Sequence, residues 1–168
     1  MISNKITLRI LKEQDYTSNY LKWFSDPEVV RYSQNRFKTF SKIGQLEYIR
    51  SFLEDDKKFL YGIFFKENHI GNIELNEIDN QKLTANITYV IGEREYWGKG
   101  IASYCINQIL KKAKIEFALK KICAGCASKN IASIKVLEKN GFEVELIKKS
   151  FFIYDNEMMD CIIFKRLI

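Results

Sequence analysis

Apolar and polar residues alternate at the start of the chain, where Ile6, Leu8 and Ile10 are separated by Thr7 and Arg9, and this period of two predicts a first strand. Asp15 can then cap a helix carrying Tyr20, Leu21 and Trp23. Asp26-Pro27 reads as a fresh helix start for a short segment over 27–32, because a capping side chain followed by proline suits the first turn. Ser41 is placed to open another helix, with Leu46, Ile49, Phe52 and Leu53 as its apolar stripe. The period then changes. Three strand-like runs over 59–66, 70–78 and 83–91 are broken by turn-prone Glu67-Asn68 and Asp79-Asn80, which predicts an antiparallel meander.

Apolar residues at 101, 105, 109, 113 and 117 form an i,i+4 ladder, so Ile101–Phe117 should be a long helix packed on the sheet. A short strand follows over Lys121–Ala127. Asn130 can cap a helix running to Lys139, which Asn140-Gly141 ends through a left-handed residue. Runs over 142–153 and 158–167 close the chain as a hairpin around residues 154–157. The predicted order is β-α-α-β-β-β-α-β-α-β-β: an α/β (α+β) fold, with a mixed, mostly antiparallel sheet of about seven strands and helices on both faces.

Composition narrows the class. The 168 residues are 46% hydrophobic, with 12 Phe and 9 Tyr, enough for one core, and no linker or repeat interrupts them, so one domain over 1–168 is expected. No apolar run approaches the roughly 18 residues of a membrane span, and the N-terminus alternates like a strand rather than a signal peptide. A cytoplasmic protein without a membrane partner is expected, with its cysteines as reduced thiols. The formal charge of +6 favours anionic partners without choosing among them.

Chemistry concentrates where the fourth strand meets the longest helix. There Gly98 and Gly100 flank Lys99, and glycines permit both a close backbone approach and angles that a side chain forbids. The first turn of the following helix leaves N–H groups unpaired, so loop and helix together suit a pyrophosphate. Other nucleotide loops fit poorly. A Walker loop requires four residues between its glycines and Ser or Thr after the lysine, whereas five separate Gly92 from Gly98 and Gly100 follows Lys99. A dinucleotide fingerprint wants Gly or Ala where Ser103 stands. Cys123 and Cys126, three apart on a strand, point to opposite faces, and His69 is the single histidine, so no metal site is expected. The aromatics Trp23, Phe24, Tyr32, Phe37 and Phe40 have helical spacing and suit a core or pocket wall better than a nucleic-acid surface.

The string Tyr96-Trp-Gly-Lys-Gly-Ile-Ala102 resembles the acetyl-coenzyme A loop of the GNAT N-acetyltransferase superfamily, Gln/Arg-x-x-Gly-x-Gly/Ala, with Glu95 in the Gln/Arg position. A second segment, Asn130-Ile-Ala-Ser-Ile-Lys-Val-Leu-Glu-Lys-Asn-Gly-Phe142, is similar to that family's Asn-x-x-Ser/Ala…Glu-Lys-x-Gly-Phe motif. Trp23-Phe-Ser-Asp-Pro-Glu-Val-Val-Arg-Tyr32 resembles the ribosomal-protein (RimJ/RimL-like) branch, so the likeness runs over nearly the whole chain.

That resemblance implies direct acetyl transfer from acetyl-coenzyme A to an amine, with no metal. It implies cofactor contacts at Val90, Ile91, Arg94, Glu95, Trp97, Gly98, Lys99, Gly100, Ile101 and Ala102, with Asn130 and Ser133 beside them. The tyrosine that protonates the thiolate in many relatives is replaced by Leu137, and the branch's Ser, here Ser133, is the alternative acid. Ser133 and Asn130 could equally be helix-start residues. No carboxylate lies in the strand before the glycine loop. Glu74 on the neighbouring strand is the first candidate base, Asp160 the second, and an ordered-water relay a third route. Arg31, Asn35 and Arg36, between the first helices, are candidate acceptor contacts, and paired arginines suit an anionic acceptor. Protein N-terminal amines, nucleotide-linked amino sugars and other small amines all remain open as acceptors. A silent coenzyme A-binding module and a basic nucleic-acid-binding domain are the competing classes, and a homodimer is compatible with the resemblance.

Overall fold

The computed structural model describes residues 5–154 and 157–168. Seven strands, β1 (Ile6–Ile10), β2 (Phe59–Phe65), β3 (Asn68–Asp79), β4 (Thr84–Ile91), β5 (Lys121–Ala127), β6 (Glu143–Tyr154) and β7 (Glu157–Leu167), form one sheet in the order β1-β2-β3-β4-β5-β7-β6. Helices α1 (Ser18–Ser25) and α2 (Lys42–Leu53) lie on one face, and α3 (Ile101–Phe117) and α4 (Ile131–Lys139) on the other. This is the expected order of elements. All ladders are antiparallel except β4–β5.

That parallel ladder is short. It pairs Thr84, Ala85 and Asn86 with Lys121, Ile122 and Cys123 and then stops, while β4 continues to Ile91 and β5 to Ala127. Beyond Asn86 the two strands diverge, and the sheet opens into a gap. On the α3 face, Ile73, Leu75, Ile87, Ile122 and Phe164 pack under Ile101, Cys105, Ile106 and Ile109, so the core holds the opened sheet from below. Alternation then sends Asn72, Glu74 and Asn76 of β3 to the opposite face.

Local departures from the expected pattern have physical causes. Asp15 does not cap α1, because Arg9 takes both of its carboxylate oxygens at 2.6 and 2.7 Å, and Thr17 caps instead by accepting from the Tyr20 N–H at 3.3 Å. Residues 27–32 form successive turns and no helix; Val30 N–H donates to Asp26 O at 3.1 Å, but a second turn begins at Ser33. Ser41 caps α2 as expected, accepting from Gly44 N–H at 3.1 Å, although Gln45 is buried and Leu53 is exposed. The turn expected at 154–157 falls on residues 155 and 156, which lie outside the described residues.

One contact ties α1 to the open end of β4. The Trp23 indole N–H donates to Glu93 at 2.9 Å, and its ring covers Gly92 so closely that a β-carbon there would fall on the ring atoms. Trp23 also meets the His69 ring at 4.9 Å between centroids, and His69 in turn donates from Nε2 to Asn72 at 2.7 Å. Burial holds His69 below its ordinary pKa and therefore neutral. Overpacking this contact should cost about 1–3 kcal/mol. Gly92→Ala is expected to lower the denaturant midpoint with an unchanged slope; an unchanged midpoint would show that α1 is free to shift.

Candidate active site

The strand–loop–helix corner after β4 is built from backbone. Gly98 and Gly100 have φ of 71° and 76°, in the left-handed region, and this is the property that requires glycine. A β-carbon at either position would meet nothing within 4 Å. Backbone angle and not crowding therefore requires glycine here, and the space above the loop is open. Gly100 is the N-cap of α3 and offers no capping side chain, which leaves the N–H groups of Ile101, Ala102 and Ser103 directed at that space. A pyrophosphate fits such a cradle through charge and hydrogen bonds together.

The flanking side chains are arranged around the same corner. Trp97 donates its indole N–H to Ile91 O at 2.7 Å, closing the end of β4, while Val90 lies opposite Asn72 on β3. Lys99 is exposed with its ammonium over the Tyr96 ring at 5.3 Å. Glu95 is exposed in the turn Arg94–Tyr96, and Arg94 is turned toward Asp26, 3.7 Å away, and over the Trp97 ring. Ile101 is buried and anchors the first turn of α3 in the core.

Across the gap, Asn130 caps α4 by accepting from the Ser133 N–H at 3.1 Å. The Ser133 hydroxyl lies 2.7 Å from that of Tyr89 on β4 and beside the Cys126 thiol of β5. Burial pushes the Cys126 thiol up from its ordinary pKa, which disfavours a thiolate nucleophile there. Leu137 is buried and carries no acid. Among the described residues, no three His, Cys, Asp or Glu side chains converge as a metal site.

Glu74 is on the opposite face of the sheet. It accepts from the Tyr48 hydroxyl of α2 at 2.6 Å and from Asn76 at 3.1 Å, and burial raises its pKa although both bonds oppose the shift. Asp160 differs in kind. Lys149 at 2.8 Å and the Ser150 N–H at 3.0 Å hold its pKa below the ordinary carboxylate value, which makes it a weak base. Periodicity alone carried no sign of Tyr48 or of the Tyr89 hydroxyl, since each partner is distant in sequence.

A depression of about 570 Å³ lies between the first two helices, with Phe24, Lys38 and Phe40 among its lining residues. Arg31 and Arg36 line it; Asn35 lies in the turn Gln34–Phe37 next to it. Phe24 and Phe40 stack with centroids 4.6 Å apart and form its apolar wall. Phe37 points outward and is exposed.

Residues 5–143 match the acetyltransferase (GNAT) domain family, and the chain belongs to it. It is an acetyl-coenzyme A-dependent N-acetyltransferase. The chain is 26% identical, over 99% of its length and 95% of the relative's, to an uncharacterized N-acetyltransferase, p20, of Bacillus licheniformis. Its fold is that of spermidine N-acetyltransferase from Vibrio cholerae in complex with coenzyme A and spermine, with a TM-score of 0.86 at 23% identity over 98% and 96% of the two chains. It is equally similar to RimL, the ribosomal L7/L12 α-N-protein acetyltransferase in complex with coenzyme A, with a TM-score of 0.86 at 17% identity over 100% and 97%.

Gly100→Val forces a β-branched residue into the left-handed region beside the cradle. It should weaken acetyl-coenzyme A binding by about tenfold or more, roughly 1.4 kcal/mol. Isothermal titration of the folded variant checks this, and unchanged affinity would remove the loop from the binding site.

Proposed function

We propose that this chain is a RimJ/RimL-like N-acetyltransferase whose acceptor is a primary amine carried on an anionic molecule, in first place the N-terminus of an acidic peptide. The observation that carries this reading is the arrangement of a hydroxyl and a carboxylate on the two faces of one gap. Ser133 stands on the α4 side of β4, and Glu74 on the α2 side. An amine reaching the gap from the α1–α2 side meets Glu74 first, and a sulfur leaving on the other side meets Ser133.

Bound acetyl-coenzyme A supplies the activated acetyl group. The chain's own residues do the rest. The N–H groups at the start of α3 and the open loop at Gly98 and Gly100 hold the phosphates, with Lys99 adding positive charge. Backbone N–H groups of β4 around residues 89–91 orient and polarise the thioester carbonyl, a type of contact worth about 10²–10³ in rate. Glu74 takes the proton from the attacking amine, and its raised pKa brings it nearer the basicity that such a transfer needs. Ser133 gives its hydrogen to the departing sulfur. Asn130 holds Ser133 in place by capping the helix that carries it.

Arg31, Arg36 and Lys38 favour an acceptor with phosphate or carboxylate groups near its amine, because guanidinium pairs with both in two-point geometry. The stacked wall of Phe24 and Phe40 beside them also suits a nucleotide-linked amino sugar, which is the second reading. The free thiols of Cys105, Cys123, Cys126 and Cys161 favour a cytoplasmic setting.

Two measurements test these roles. Ser133→Ala should lower kcat by about 10²-fold with little change in acetyl-coenzyme A affinity, and Glu74→Gln should do the same while removing the acid limb of the pH profile. That limb should lie above the ordinary carboxylate pKa of about 4.3, since the active form is the deprotonated one and burial raises the value. An unaltered limb in Glu74→Gln would remove the base assignment. In a thiol-release assay, acidic peptides and nucleotide-linked amino sugars should outperform spermidine, and Arg31→Ala or Arg36→Ala should raise the acceptor KM by about tenfold. Efficient spermidine turnover that neither substitution alters would overturn the acceptor reading.

A further inference from the structure

β4 and β5 part after Asn86 and Cys123, yet one side-chain bond reaches across the opening: the Tyr89 hydroxyl of β4 to the Ser133 hydroxyl of α4, at 2.7 Å. Tyr89 faces this way because it lies opposite Ile73 in the β3–β4 ladder and shares that residue's side of the sheet. Its ring packs against the central core, so the hydroxyl is aimed by a fixed lever. Ser133 is fixed as well. Its backbone N–H is bound to Asn130, and α4 can shift little, because Asn140 at its far end donates to Val136 O at 2.8 Å and to Ser103 of α3 at 3.0 Å.

A serine hydroxyl has one hydrogen and two acceptor lone pairs. Either hydroxyl can donate in this contact, and the phenol, the stronger acid of the two, is the favoured donor. Burial pushes the Tyr89 pKa up to about 12, so the phenol keeps its proton across the working range of pH. With a lone pair of Ser133 occupied by Tyr89, its own hydrogen is left for another acceptor: the Cys126 sulfur beside it, or a sulfur that enters the gap. Leu137 supplies no hydroxyl to this corner.

We propose that Tyr89 is a positioning residue for the proton transfer, which donates to Ser133 and thereby aims the Ser133 hydrogen at the departing sulfur. The inference rests on the reading of Ser133 as proton donor. As the carbon–sulfur bond breaks, its electron pair remains on sulfur, and the Ser133 proton moves to that sulfur to give the thiol. The Tyr89 proton shifts toward the seryl oxygen and offsets the charge left there. The proton lost by the amine returns through water to restore the pair. The net change is one proton moved from nitrogen to sulfur, and no other reactant is needed.

Tyr89→Phe keeps the ring and its packing and removes only the hydroxyl. It should lower kcat at least about tenfold while the acetyl-coenzyme A KM changes less than about threefold, a split that lost packing would not produce. In a Ser133→Ala background the same substitution should change kcat less than about twofold, because the hydroxyl it would aim is already gone. Calorimetric titration with coenzyme A confirms that each variant is folded and binds. Full turnover by Tyr89→Phe, or an equal loss in both backgrounds, would overturn the role of Tyr89 and leave Ser133 as donor. Wild-type turnover by Ser133→Ala would overturn both readings together.

Discussion

Among the described residues, three residue pairs hold the only parallel ladder of the sheet, and the proposed site depends on the ladder ending there. Had β4 and β5 stayed paired along their length, the backbone of residues 87–91 would have been satisfied within the sheet. Because they part, that stretch presents polar edge groups to a gap, and buried backbone groups without partners are costly. A ligand with an extended amide-bearing arm can satisfy them. The loop with Gly98 and Gly100 and the uncapped start of α3 follow directly on the parted end of β4, so one topological feature accounts for both the proposed anion cradle and the proposed transfer site.

The gap has two chemically different sides. On the α1–α2 side, Glu74, Tyr48, Asn72 and Asn76 form a polar layer, with buried His69 and Trp23 supporting Asn72 and the end of β4. The other side carries two hydroxyls and a protonated thiol. A carboxylate with a raised pKa facing one way and a hydroxyl donor facing the other can remove a proton from an amine and return one to a sulfur without competing for it. The separation follows from strand alternation, which sends Glu74 and Tyr89 to opposite faces of neighbouring strands.

Much of the fold is legible in the sequence. The i,i+4 ladder marks Ile101–Phe117 residue for residue, and Asn130 with Asn140-Gly141 brackets α4, because these signals are local and unopposed. Near the N-terminus, local rules compete. Asp15 and Thr17 are both good caps, and the choice was made by Arg9 across a turn, which no short window reveals. Glycines at 98 and 100 mark a loop in the sequence, but whether sterics or backbone angle requires them is not readable there; the angle does. Tyr48 with Glu74, and Tyr89 with Ser133, are 26 and 44 residues apart, and only the sheet order makes neighbours of them. The acceptor is less legible than the donor, since loop side chains such as Arg31 and Arg36 define a surface and not a motif.

On the proposed function, the acyl donor lies in the gap between β4 and β5 with its phosphates on the first turn of α3. Amide hydrogen exchange, measured residue by residue with and without acetyl-coenzyme A, tests it most directly. Saturating ligand should slow exchange at residues 87–91 of β4 and at 101–103 of α3, and leave β1 and β2 unchanged. Protection confined to the α1–α2 loop or the β6–β7 hairpin, with residues 87–91 exchanging as in the free protein, would contradict it.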